Sequence, residues 1–94
     1  LNLKIDSDIS NIERHFKNAI ELEEKGFFEE AAQQFNICLR INDLHIPSMT
    51  NLVRLYKKMG KEDLADNYSK KLDEIFKRLW DKKIEIEIRK YYKF

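Results

Sequence analysis

Few side chains in this sequence are of kinds that attack, shuttle protons or bind metals. The cysteine is Cys38 and the histidines are His15 and His45. Catalysis needs a nucleophile, a base or a metal cluster held in mutual reach. Neither histidine sits in an H-E-x-x-H or C-x-x-C neighbourhood, so no metal site is expected. Glu23 with Glu24, and Glu29 with Glu30, are adjacent in sequence, and adjacent helical residues point about 100° apart rather than at one target. No glycine-rich loop is present to cradle a phosphate. The expectation is a protein that is not an enzyme and carries no cofactor or metal.

The elements that would position any other function are helices. The chain has 94 residues, 43% apolar and 37% charged, which suits one helical domain near the small end of what folds alone. Two Gly and one Pro are too few for a turn-rich β design. No apolar run approaches the roughly 20 residues that span a bilayer. A lone cysteine forms no internal disulfide, so a reducing compartment, the cytoplasm, is the expected location. The first residue is Leu1 rather than Met, which reads as a piece of a longer protein.

The net charge of +1 argues against bulk nucleic-acid binding. Its distribution is uneven. Residues 1–43 carry five Lys/Arg against nine Asp/Glu, whereas residues 77–94 carry seven against three. An acidic front and a basic tail can attract within a molecule, between copies or across to a charged partner, or can simply be solvated helix faces.

A period of 34 residues organises the middle of the chain. It relates Gly26 to Gly60 and Ala31 to Ala65. Positions ahead of each glycine repeat as well: Ala19 and Leu22 before Gly26 match Val53 and Tyr56 before Gly60, and Cys38 matches Leu72 behind. Glycine closes a helix in the left-handed conformation without a Cβ clash. An alanine one turn into the next helix lets two axes approach closely. At Cys38, a position where a small residue packs between helices, a buried inert thiol is expected. Helix one is predicted over about Ser10 to Lys25, opened by Ser10 and Glu13 as a capping box. Helix two follows over Phe28 to Ile41 and helix three over Pro47 to Met59, after turn chemistry at Asn42-Asp43. Helix four starts near Lys61.

Over roughly residues 12–76 this pattern resembles the tetratricopeptide repeat family. The resemblance implies an all-α fold of antiparallel helix-turn-helix repeats, with repeat one at about 12–45, repeat two at about 46–79 and a C-terminal cap at about 80–94. His15 and Asn18 stand where the family usually has large apolar residues, and Ser69 stands where the first unit has Phe35. The three-helix microtubule-interacting-and-trafficking domain also resembles Ala19 to Leu39, but leaves the Gly60/Ala65 pair unexplained.

From Lys61 to Phe94 there is no Gly or Pro. Leu72, Phe76, Leu79, Trp80, Ile84, Ile88 and Tyr91 recur at helical spacing, as one long helix or two with a bend near Asp81. The competing pattern is a strand, because Ile84, Ile86 and Ile88 alternate with charged residues, and Leu1, Leu3 and Ile5 alternate too. A two-stranded ribbon is marginal in water, so helix is expected.

In the tetratricopeptide family the inner face of each first helix lines a groove that holds a peptide or helix of a partner protein. The resemblance places Ile12, Phe16, Ile20 and Glu23 there in unit one, and Thr50, Asn51, Arg54, Lys57 and Lys58 in unit two. Ile12, Phe16 and Ile20 form an apolar stripe with basic side chains alongside, suited to an amphipathic or acidic-apolar segment. The alternative is internal: Trp80, Ile84 and Ile88 fold over as a lid. The family's chaperone-carboxylate clamp is not expected, since only Asn51 matches its pattern. A second function class is homo-oligomerisation through Trp80, Ile84, Ile88, Tyr91 and Tyr92. RNA binding ranks last, because Glu13 and Glu23 make the inner face acidic.

Overall fold

A computed structural model describes the backbone of residues 3–92 and the side chains of residues 6–83. Within them the chain forms four α-helices and no strand: α1 (Leu3–Glu24), α2 (Phe28–Ile41), α3 (Ile46–Lys58) and α4 (Glu62–Tyr92). Consecutive helices pack on one another, α1 on α2, α2 on α3 and α3 on α4. The short bends between them make two helical hairpins.

The two hairpins close in the same way. Gly26 and Gly60 have φ of 84° and 75°, the left-handed region that an L side chain enters at a cost. At the first bend, Phe27 N–H donates to Leu22 C=O at 2.9 Å and Gly26 N–H to Glu23 C=O at 2.9 Å. At the second, Lys61 N–H donates to Tyr56 C=O at 2.8 Å and Gly60 N–H to Lys57 C=O at 3.1 Å. This paired pattern satisfies carbonyls that the helix end leaves open. The 34-residue spacing therefore marks equivalent bends.

The α2–α3 connection uses different chemistry. Asn42 Oδ1 accepts from Leu44 N–H at 3.1 Å, a side-chain turn that ends α2. Pro47 lies in the first turn of α3, where its missing N–H is harmless.

Ala19, Ala31 and Ala65 are fully buried, so three helices approach closely at their positions. Around them pack Phe35, Leu52, Leu55 and Tyr56. Each large side chain here contributes about 1.5–3 kcal/mol through burial. A polar joint ties three helices beside this core: Asn36 Nδ2 of α2 donates to Tyr56 Oη of α3 at 3.0 Å, and Tyr68 Oη of α4 donates to Asn36 Oδ1 at 3.0 Å. The Tyr56 and Tyr68 rings stack with centroids 6.1 Å apart.

One expectation is corrected. Helix one does not begin at a Ser10 capping box, because α1 starts at Leu3 and Ser10 is internal and exposed. Ile5, Ile9, Ile12 and Phe16 continue one helical spacing, so nothing in the sequence breaks the helix there. The strand reading fails for residues 3–5 and 84–88, whose backbone is helical; Leu1 lies outside the described residues. Of the two forms expected after Lys61, the structure has the single long one: residues 80–92 continue α4, a helix of 31 residues and about 46 Å.

Hairpin topology puts two projections at the same end of the molecule. The 14 residues of α2 reach back along α1 to about Ile12, whose carbonyl lies 3.5 Å from Cys38 Sγ. The first turns of α1 extend beyond that level. The 13 residues of α3 likewise reach down α4 to about Ile75, which shares a groove with Leu44, Met49 and Arg78. From there α4 runs on alone.

Candidate functional site

An open concavity lies between α1 and α3. It encloses about 480 Å³ and is lined by Ile20, Glu23, Glu24, Phe28, Arg54 and Lys58, with Gly26 at its end. Ile20, Glu23, Arg54 and Lys58 are sequence-predicted site residues, and the fold brings them together. Phe28 and Glu24 were not expected there. The half-exposed position of Phe28 follows only from how α2 leaves the Gly26 bend.

Glu23 organises the polar part of this groove. Its side chain is only 9% exposed. Both carboxylate oxygens accept from the Arg54 guanidinium, one from Nη1 and the other from Nη2 at 2.8 Å, and Lys58 Nζ donates at 3.2 Å. The Arg54 hydrogen bond holds the Glu23 carboxyl below its ordinary pKa, against the upward pull of burial. Arg54 is steadied in turn by Asn51, whose Oδ1 accepts from Nη2 at 2.6 Å while its Nδ2 donates to Pro47 C=O at 2.7 Å. Asn51, Arg54, Glu23 and Lys58 thus form one chain that clamps the first hairpin to the second. Lys58 also lies 5.8 Å from the Phe28 ring centroid. Lys57 is exposed and does not line the groove.

The apolar stripe of α1 is less open than the sequence suggests. Ile12 is 8% exposed and belongs to the core. Phe16 makes edge-to-face contacts with Phe35 at 5.5 Å and with the His45 ring at 5.7 Å. Phe16 and Ile20 both pack against the main core and remain half-buried. Within the described residues the stripe is covered by α2 and the α2–α3 connection. Trp80, the proposed start of the lid, is 60% exposed. The side chains of Ile84, Ile88, Tyr91 and Tyr92 lie outside the described residues.

The reactive side chains occupy structural positions. Cys38 is buried, and burial raises its pKa although a Ser48 hydrogen bond opposes the shift, so little thiolate is present to react. His45 Nδ1 lies 2.7 Å from Ser48 Oγ at the start of α3, and His15 Nδ1 lies 2.7 Å from Gln34 Oε1 between α1 and α2. Burial pushes the His45 pKa down, because the charged ring loses solvation. No group of three or more His, Cys, Asp or Glu among the described residues is arranged to hold a metal ion. No helix among them is long and apolar enough to cross a membrane.

A different apolar surface is open. On the projecting part of α4, Phe76, Leu79 and Trp80 are 50%, 57% and 60% exposed. They continue the line of Ala65, Tyr68, Leu72 and Ile75, which packs on the rest of the molecule higher up the same helix. Comparison with protein-family models, with curated proteins and with solved structures returns no match to this chain.

Proposed function

We propose that this chain is a protein-interaction module, built as two tetratricopeptide-like helix pairs, that seats a short segment of a partner protein between α1 and α3. The observation that carries this reading is the groove itself. Ile20 and Phe28 give it a half-buried apolar floor, and Arg54 and Lys58 stand along one edge. Arg54 and Lys58 share one ion-pair partner, Glu23, so the α3 edge retains positive charge, facing Glu24 on the α1 side. Such a surface favours an apolar residue flanked by Asp or Glu. The equivalent Gly26 and Gly60 bends support the repeat reading.

The burial of Ile12 and the packing of Phe16 move the contact surface toward Ile20, Phe28 and Lys58. Phe16→Glu would disturb folding and is a poor test of binding. Peptides selected from a random display library on the wild-type chain, with counter-selection on a Lys58→Glu variant, provide a better one. Enrichment of short apolar sequences bearing Asp or Glu is expected. Equal recovery on both proteins refutes the groove.

A further inference from the structure

We infer that the open apolar stripe on the projecting part of α4 is a docking face for a second copy of this chain, which supplies its acidic α1 arm. This surface is separate from the α1/α3 groove, so the two readings stand or fall independently.

The stripe is a packing seam without a partner. Ala65, Tyr68, Leu72, Ile75 and Leu79 follow the alternating three- and four-residue spacing of a helix that packs against another helix. Ala65 and Leu72 are buried in the molecule, Tyr68 and Ile75 are half-buried, and Leu79 is open together with Phe76 and Trp80. The change happens level with the start of α3. Leu44, on the connection at that same end, is also open. A helix that leaves its bundle retains little stability in water unless its apolar face is covered.

Charge selects the occupant. Lys77, Arg78, Lys82 and Lys83 flank the stripe, with Asp81 the one acid among residues 76–83. Two α4 arms laid together would bring like charges into contact. The chain holds a complementary helix in its own α1 arm, where exposed Ile9 follows Asp6 and Asp8, with Glu13 one turn on. Both arms project from the same end, so a two-fold axis lets each α4 take the α1 of the other copy. One closed, self-complementary contact then covers both stripes.

The size fits a weak dimer. Phe76, Leu79 and Trp80 each offer about 100 Å² of open apolar surface. With Ile9 and Leu44 counted in both copies, the contact reaches roughly 1,000 Å², near the lower bound for a specific interface. Dissociation at tens of micromolar, on the order of 10–100 µM, is expected.

Sedimentation equilibrium of the full chain from about 10 µM to about 1 mM tests this, with Trp80, the single tryptophan, as an emission probe. A monomer–dimer equilibrium with a blue shift on association is expected. Raising salt from about 50 mM to about 500 mM should weaken it several-fold. Asp6→Lys/Asp8→Lys and Arg78→Glu/Lys82→Glu should each weaken self-association about tenfold or more while keeping helicity by circular dichroism. Mixing these two variants restores both complementary contacts and should restore the dimer. A wild-type monomer at the highest concentration overturns the proposal. So does a dimer that ignores Asp6→Lys/Asp8→Lys, which would place α4 against α4, or one that tightens with salt.

Discussion

Replacing Glu23 by Gln keeps the shape of the side chain and removes the charge that Arg54 and Lys58 share. Because Glu23 is only 9% exposed, water restores little of the lost interaction. Arg54 and Lys58 are about half exposed, at 46% and 49%, and recover much of their solvation. A hydrogen bond to a charged group contributes about 1.5–3 kcal/mol in favourable cases, whereas exposed pairs contribute about 0–1 kcal/mol. The mixed exposure places the expected loss at about 1–2 kcal/mol, or roughly 4–16 °C in Tm for a domain of this size. Glu29 provides the control. Its bond to Lys61 joins two exposed side chains, so Glu29→Gln should cost no more than about 0.5 kcal/mol. The pH dependence has a definite sign. The folded-state pKa of Glu23 is depressed, so its contribution is full above the unfolded value near 4.5 and fades as pH falls through the folded one. The gap between wild type and Glu23→Gln should therefore narrow below about pH 4. Urea melts followed by far-UV circular dichroism measure both effects. If Glu23→Gln costs no more than Glu29→Gln at neutral pH, the clamp does not join the hairpins as described.

Gly26→Ala and Gly60→Ala should each destabilise by about 1–2 kcal/mol in the same urea melts, because both positions require positive φ although space for a Cβ is open. Phe16→Ala should cost about 3 kcal/mol or more by thermal melting, since its ring contacts Phe35 and His45 inside the structure. His45 has a depressed folded pKa, so the stability it permits is full above about pH 6.5 and is lost as pH falls through the folded value. His45→Asn should flatten the slope of stability between about pH 7 and pH 5. Cys38 should react with a thiol reagent only at the rate of opening of the native state, and addition of urea should accelerate it.

The architecture was legible where local chemistry decides it. The Gly26/Gly60 spacing located both bends, Pro47 located the start of α3 within one residue, and the lack of Gly or Pro after Lys61 pointed to a long helix. The start of α1 was misplaced because Ser10 and Glu13 imitate a helix start inside an unbroken apolar spacing. The groove was legible only in part. Periodicity gives the face of a helix but not what covers it, so Ile12 and Phe16 were placed on an open stripe although the bundle packs over them. Charge pairing across helices left no mark in the sequence: Glu23 is 31 positions from Arg54. Asn36, the joint between Tyr56 and Tyr68, has no polar counterpart pair one period on, so repeat reasoning passes over it.

The interaction role is tested most directly by following backbone amide resonances of the full chain while a display-selected acidic-apolar peptide is titrated in. The groove reading predicts saturable shifts that cluster at Ile20, Phe28, Arg54 and Lys58. Shifts confined to the α2/α4 side around Asn36, Tyr68 and Lys71, or no saturable shifts at all, would contradict it.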